Sequence, residues 1–172
     1  MNNNEVKKEL SKFGAFVVQQ SRSRLTKAKK NASGDLYNSL SYDIETFPNS
    51  FSFSFYWVEK DGVAYGEFVD KGVSGTKKKY NTPFSYKSKR PPAKVFEDWS
   101  RTRGIRGRDK KTGKFISRKS LSFILQRHIF ENGMKPTLFF TKPFEQAFEK
   151  LPDELVEAYG LDIENFLNFT LK

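Results

Sequence analysis

Aromatic residues recur at every second position in residues 51–57, with serines between the first three of them. Successive strand side chains point to opposite faces, so this spacing predicts a strand with one strongly apolar face. The preceding residues alternate in the same way, with Tyr42 and Ile44 on one side and Asp43 and Glu45 on the other. Pro48-Asn49-Ser50 and Asp61-Gly62 are turn-forming sequences. The pattern predicts a meander of three antiparallel strands, at about 40–47, 51–59 and 63–69.

Helical periodicity flanks this predicted sheet. Residues 5–30 place Val6, Leu10, Phe13 and Val17 on one helical face. Further helices are predicted after Pro91-Pro92, after Ser117 and after Thr141, the first ending at Gly104 and the second at Asn132-Gly133. The predicted apolar faces of the first two contain Val95, Phe96 and Trp99, and Leu121, Ile124, Leu125, His128 and Ile129.

These elements predict an α+β fold, in which a small antiparallel meander carries an N-terminal helix and C-terminal helices on its aromatic face. The length of 172 residues fits one domain with an appendage. We predict a domain at 1–152 with basic loops at 71–92 and 105–116, followed by an acidic, apolar C-terminal extension at 153–172.

The composition limits the chemistry. The chain has 18 Phe, one His, no Cys and a formal net charge of +11. Disulfides are excluded, and a structural zinc site is effectively excluded. Residues 1–5 run into charged residues without an apolar signal core, and no apolar run reaches the length of a membrane span. We expect a chain that is made in a cytoplasm and contacts no membrane.

The two basic loops carry the clearest functional signal. Lysines and arginines with interleaved aromatics suit sequence-independent contact with a phosphate backbone. A solvated surface, or pairing with the acidic tail of a neighbouring copy, explains the same pattern equally well. Because these loops lack apolar periodicity, we expect 73–90 and 106–116 to be mobile in the isolated subunit. The predicted contacts to DNA or to an acidic partner are Lys77, Lys78, Lys79, Lys87, Lys89, Arg90, Arg106, Arg108, Lys110 and Lys111.

No grouping of residues in the sequence strongly indicates a catalytic site. His128 lies on an apolar helical face without a Cys or Ser partner at a telling spacing. Asp43 and Glu45 share a strand face and are a distant candidate for a metal-dependent nuclease. Residues 72–77 lack the Gly-Lys-Ser/Thr ending of a phosphate loop. We therefore expect no enzymatic activity and no cofactor.

Three segments resemble a known family. Ser33-Gly34-Asp35-Leu36-Tyr37-Asn38-Ser39-Leu40 is similar to the "Thr-Gly-x-Leu-x-x-Ser-Ile" element of tailed-phage neck proteins. Tyr65-Gly66-Glu67-Phe68-Val69-Asp70-Lys71-Gly72 resembles their "Tyr-Ala-x-x-Val-Glu-x-Gly-Thr" segment. Gly133-Met134-Lys135-Pro136-Thr137-Leu138-Phe139-Phe140 resembles their "Gly-Ile-x-Pro-x-Pro-Phe" segment, and the order of the three also matches.

This family comprises the head–tail joining, or tail-completion, proteins of the virion. The resemblance implies a non-enzymatic subunit in the neck of a tailed phage. It further implies a ring homo-oligomer, a hexamer or dodecamer, around the DNA channel, with portal or adaptor, tail-tube or tail proteins and packaged double-stranded DNA as its partners. A free, sequence-independent nucleic-acid-binding protein is the alternative.

A head-to-tail ring requires two different complementary patches on one subunit. The basic middle and the acidic, apolar tail are the candidates, although the tail packing on its own subunit is an open alternative. If the tail joins neighbours, the predicted subunit interface consists of Asp153, Glu154, Glu157, Phe166, Leu167 and Phe169.

Overall fold

A computed structural model of the chain describes residues 3–30, 33–47, 50–57, 65–161 and 163–171. Their element order confirms the predicted α+β class. The elements are α1 (Asn3–Lys27), α2 (Asp35–Ser39), β1 (Ser41–Phe47), β2 (Ser50–Tyr56), α3 (Tyr65–Lys71), α4 (Ala93–Thr102), α5 (Arg118–Asn132), α6 (Thr141–Phe148), α7 (Asp153–Tyr159) and α8 (Ile163–Thr170).

The chain forms two compact units. The first contains residues 1–66 and 138–172, and the second contains residues 67–137. The helices of the predicted extension, α7 and α8, belong to the first unit. The two predicted basic loops fall entirely in the second unit.

The two strands pair as the aromatic alternation predicts. β1 and β2 are antiparallel, with Tyr42 opposite Phe55 and Ile44 opposite Phe53. Phe53 and Phe55 are fully buried, whereas Asp43 and Glu45 are exposed. The predicted separation into an aromatic inner face and a polar outer face is therefore confirmed for this β-ribbon.

The prediction of a third strand at 63–69 is wrong for residues 65–69, which lie in the helix α3; residues 63–64 lie outside the described residues. Tyr65, Phe68 and Val69 are spaced i, i+3 and i+4, so their pattern fits a helix as well as a strand. Gly66 also packs where an added Cβ would come within 2.8 Å of the Trp57 indole. This close approach to Trp57 explains the glycine at position 66.

Helices cover the aromatic face of the ribbon, as predicted. Phe13 of α1 lies at the centre of the first unit. Its ring centroid is 5.5 Å from that of Phe53, 5.2 Å from that of Phe144 in α6 and 5.6 Å from that of Phe166 in α8. Four elements therefore share one core of large rings, whose burial supplies most of the stabilisation expected for a small unit.

The helices α4 and α5 belong to the second unit. Their positions in the sequence were predicted correctly, but the faces predicted to be buried were not. Ser117 caps α5 by accepting a hydrogen bond from the Ser120 amide at 3.0 Å. However, the structure buries Ser100 and Ser122 and leaves Val95, Trp99 and Ile124 exposed. The predicted apolar faces are wrong at these three positions because α4 and α5 pack with small side chains buried and turn larger ones outward.

Candidate functional site

The second unit carries the positive charge of the protein. Residues 67–137 contain nineteen basic and six acidic residues, a formal net charge of +13. The remaining residues contain twelve basic and fourteen acidic residues, a net charge of −2. A field of this sign attracts anionic partners. The candidate site is therefore built from two surfaces of this unit, the basic loop (71–92) and the basic hairpin (105–116).

Backbone hydrogen bonds hold the start of the basic loop. Val73 and Met134 exchange amide-to-carbonyl bonds of 2.8 and 2.7 Å. Ser74 receives a bond from the Tyr86 amide at 2.9 Å and donates one to the Phe84 carbonyl at 2.8 Å. Main-chain pairing therefore gives this part of the loop contacts that apolar periodicity does not supply, and the mobility of 73–90 in the isolated subunit stays a prediction.

Three successive amides of the basic loop cap the carboxyl end of α5. The Thr76 amide donates to the Phe130 carbonyl at 2.9 Å, and those of Lys77 and Lys78 donate to the Glu131 carbonyl at 2.9 and 3.1 Å. The last carbonyls of a helix have no partners within the helix. The loop therefore satisfies them and is fixed in place by the same bonds.

Two lysines of the predicted contact set are engaged inside this arrangement. The Lys77 ammonium lies 2.8 Å from the Glu131 carboxylate, and that hydrogen bond is the largest cause lowering the pKa of Glu131. The Lys79 ammonium donates to the Gly75 carbonyl at 2.8 Å. Both therefore make contacts within the loop or to α5 while staying exposed.

The other cations of the basic loop point outward. Lys78 lies over the Tyr80 ring at 5.5 Å, and Arg90 lies over the Phe130 ring at the same distance. Lys87 and Lys89 are exposed. A guanidinium on an aromatic face keeps its outer N–H groups available to an anion. These four residues remain candidates for contact with DNA or an acidic partner.

The second basic loop forms a hairpin that turns on Asp109. Its carboxylate accepts hydrogen bonds from the Thr112 amide at 2.8 Å, the Thr112 hydroxyl at 3.0 Å and the Lys111 amide at 3.0 Å. The bonds from Thr112 are the main cause lowering the pKa of Asp109. Gly113 adopts a φ of 68°, which favours glycine. The turn is thus locally determined, and the mobility of 106–116 in the isolated subunit stays a prediction.

Two arginines of the hairpin share one aromatic ring. Arg108 pairs with Phe115 across the hairpin, and its guanidinium carbon lies 4.0 Å from the ring centroid. Arg106, two residues earlier on the same face, lies 5.6 Å from that centroid. In the described ranges neither arginine has a carboxylate at ion-pair distance. Both guanidinium groups therefore lie against one ring, and that of Arg108 also donates to the Gly113 carbonyl at 3.1 Å.

Phe115 was not predicted as a site residue. Its ring is 54% exposed although two guanidinium groups lie on it. A sequence signal was present, because a turn over the 109–114 segment places residue 115 opposite residue 108. The register of the hairpin, which the polar turn fixes, is what identifies Phe115 as a neighbour of the two arginines.

The predicted catalytic candidates do not converge. Asp43 and Glu45 are exposed on the outer face of the ribbon, and His128 is an exposed residue beside Asn132, with 3.3 Å between its Nδ1 and the amide nitrogen. Among the described residues, no group of three or more His, Asp or Glu side chains is placed to hold a metal ion. No arrangement in this part of the chain suggests a specific reaction.

The fold buries part of the acidic tail and exposes the rest. Phe166 is 5% exposed and packs on Phe13, Phe53 and Phe144 of its own chain, so its predicted role in contacting a neighbour is wrong. Leu167 is partly exposed, and the side chain of Phe169 lies outside the described residues. Asp153, Glu154 and Glu157 are exposed and stay candidates for an interface. Deleting 161–172 would therefore remove part of the core, and not only an interface.

Two of the three segments that carry the family resemblance meet in the fold. The Thr137 hydroxyl donates to the Val69 carbonyl at 2.6 Å across 68 residues of sequence. The Thr137 amide lies 3.1 Å from the Asp70 carbonyl. Gly72 has a φ of 72°, and a Cβ there would lie 2.6 Å from the Met134 carbonyl oxygen. The third segment, residues 33–40, contains α2. The Arg22 side chain of α1 donates to two carbonyls of this segment, those of Tyr37 and Leu40, both at 3.0 Å.

Comparisons with protein-family models, with curated proteins and with solved structures found no match to this chain. Among the helices that the structure describes, none is both long enough and apolar enough to cross a membrane. The functional proposal below therefore draws on the residue patterns and on the geometry of the second unit.

Proposed function

We propose that this chain is a structural virion protein of a tailed phage, which forms a ring in the neck and joins the head to the tail. The observation that carries the proposal is the direct pairing of residues 65–72 with residues 133–140. Segments that resemble the neck proteins at distant places in the sequence form one hydrogen-bonded element, joined at Val69 and Thr137. A chance resemblance of unrelated stretches would not be expected to place them together.

The charge distribution supports a position beside packaged DNA. The cations of the basic hairpin extend from a unit with a net charge of +13. Arg106 and Arg108 lie on Phe115, and neither has a carboxylate at ion-pair distance among the residues that the structure describes. Cations so placed neutralise phosphates without reading base sequence. In the proposed ring they face the DNA channel, and the portal and tail proteins occupy the two ends of the ring.

A second candidate function is a free, sequence-independent nucleic-acid-binding protein. The specific observation in its favour is the same Arg106–Phe115–Arg108 arrangement, since an exposed ring flanked by guanidinium groups suits a strand of nucleic acid. The two functions differ in assembly. A neck subunit closes rings and binds DNA weakly as a single subunit, whereas the alternative binds DNA tightly as a monomer.

Electron microscopy of the purified chain, alone and with isolated portal-bearing heads, tests the proposal. We expect rings of uniform diameter, either free or on the head vertex, together with weak binding to duplex DNA. A chain that stays monomeric even in the presence of heads and binds DNA tightly would favour the second candidate.

We predict that any duplex DNA binding by the chain depends on the hairpin arginines. Arg106→Gln/Arg108→Gln is expected to weaken binding about tenfold and to reduce the slope of log K against log salt by about two, because two phosphate contacts are lost. Fluorescence anisotropy across a salt series measures both quantities. Lys7→Gln/Lys8→Gln removes the same charge from exposed positions of α1 and is the control. Equal losses in both variants would mean that only net charge matters.

We predict that the chain does not cleave DNA. Asp43 and Glu45 lie on an open ribbon face, where water competes for any metal ion that two carboxylates alone could hold. Incubating the purified chain with single- and double-stranded DNA and Mg²⁺ or Mn²⁺, followed by gel electrophoresis, checks this. Cleavage that disappears in Asp43→Ala would show that the ribbon is an active site after all.

A further inference from the structure

Three cations lie around one carboxylate at the carboxyl end of α5. The Lys77 ammonium lies 2.8 Å from the Glu131 carboxylate. Arg127 precedes Glu131 by four residues, a spacing that makes helical side chains neighbours. The Arg90 guanidinium lies on the ring of the preceding residue, Phe130, 5.5 Å from its centroid. We call Lys77, Arg90, Arg127 and Glu131 the α5 charge cluster. Its positive charges outnumber its single negative charge, so the cluster attracts anions.

Main-chain bonds, rather than the ion pair in this cluster, fix the basic loop on α5. The Lys77 and Lys78 amides donate to the Glu131 carbonyl at 2.9 and 3.1 Å, and the Thr76 amide donates to the Phe130 carbonyl at 2.9 Å. The Lys77–Glu131 ion pair is exposed, with the two side chains 71% and 30% accessible, so it adds little to stability. The Lys77 ammonium can therefore leave Glu131 while the loop stays in place.

A phosphate that approaches this cluster from outside meets the Glu131 carboxylate. Arg90 and Arg127 are exposed, and neither has a carboxylate at ion-pair distance within the described part of the chain. Exposed guanidinium groups bind phosphates through paired N–H groups. The hydrogen bond from Lys77, followed by the charges of Lys77, Arg127 and Arg90, lowers the pKa of Glu131, so its carboxylate is ionised at neutral pH. Glu131 therefore occupies Lys77 and repels the phosphate that the arginines attract.

We propose that Glu131 is an internal competitor that weakens the binding of nucleic-acid phosphates to the α5 charge cluster. When a phosphate binds, Lys77 exchanges the Glu131 carboxylate for a phosphate oxygen, and Arg90 and Arg127 supply the other contacts. The exchange needs only side-chain rotation, because the main-chain bonds of the loop persist. These phosphates belong to the DNA of the proposed function, on which this inference rests, and the competition accounts for the weak duplex binding expected of a neck subunit.

Glu131→Gln tests the competition, because it removes the charge and keeps the length of the side chain. The variant is expected to bind duplex DNA about fivefold more tightly than the wild type and to steepen the slope of log K against log salt by about one, since Lys77 becomes a further phosphate contact. Fluorescence anisotropy across a salt series measures both quantities. The matched control is Glu97→Gln, which removes the same charge from an exposed ion pair with Arg101 in the same unit. It should change the affinity by less than about twofold.

Lys77→Gln/Glu131→Gln should return the affinity and the salt slope to near the wild-type values, because the released ammonium is gone. Hydrogen exchange of the amides of 73–78 should match the wild type in Glu131→Gln, and faster exchange would overturn the proposal by showing that the carboxylate holds the loop. Equal gains in Glu131→Gln and Glu97→Gln, a gain that persists in the double variant, or no gain in Glu131→Gln would overturn it as well. None of these results depends on ring closure, so the neck function is tested separately by electron microscopy of the rings.

Discussion

Gly133→Ala is expected to destabilise the second unit by about 3 kcal/mol or more and to release the basic loop. Gly133 ends α5 with a φ of 70° and a ψ of −163°, a region that essentially only glycine occupies. An added Cβ would also collide with the Val73 carbonyl oxygen and lie 2.5 Å from the Gly75 nitrogen. Urea denaturation measures the stability. Hydrogen exchange of the amides of 73–78 should accelerate, and brief trypsin digestion should cut at Lys77–Lys79.

Gly113→Ala provides the matched control. Gly113 has nearly the same φ, 68°, but an added Cβ there would meet nothing within 4 Å. Gly113→Ala is therefore expected to cost only the free energy of placing alanine in a left-handed backbone conformation, about 1 to 2 kcal/mol, without a collision. Equal losses for the two substitutions would mean that the contact between the loop and the end of α5 is not the reason for glycine at 133.

Phe13→Ala is expected to destabilise the first unit by about 3 to 5 kcal/mol, the usual cost of removing a buried ring. Phe13 touches rings from the ribbon, α6 and α8, so its loss leaves a cavity that several elements would have to move to fill. Thermal and urea unfolding followed by near-ultraviolet circular dichroism measures the change.

Phe47→Ala is the control for the core. Phe47 is a ring of the same size on the outer face, 46% exposed, and its truncation is expected to cost about 1 kcal/mol or less. Losses of similar size would contradict a core centred on Phe13.

The β-ribbon and the helices around it were predictable because their patterns are unambiguous over several residues. The alternation at 51–57 has no helical interpretation, and Ser117 and Gly133 mark the ends of α5 by chemistry that acts locally. The strand predicted over 65–69 failed where a short apolar pattern fits both periods. The contact of Gly66 with Trp57 likewise joins residues that no local rule connects.

The candidate site was predictable in its charge and not in its geometry. Lys77 and Lys79 look like Lys78 in the sequence, yet a long-range ion pair with Glu131 and a local hydrogen bond to the Gly75 carbonyl distinguish them from it. The order of the basic loop depends on hydrogen bonds to residues 130–134, which the sequence places more than 50 positions later. Phe166 likewise looked available to a neighbour until the fold placed it beside Phe13.

Disruption of the gene, followed by electron microscopy of the particles produced, tests the central claim most directly. A neck subunit that joins head to tail is required only at the last step, so the account predicts heads and tails that are complete but separate. Supplying the purified chain to an extract of these parts should then restore joined particles that contain it. Normal joined particles assembled without the chain would contradict the account.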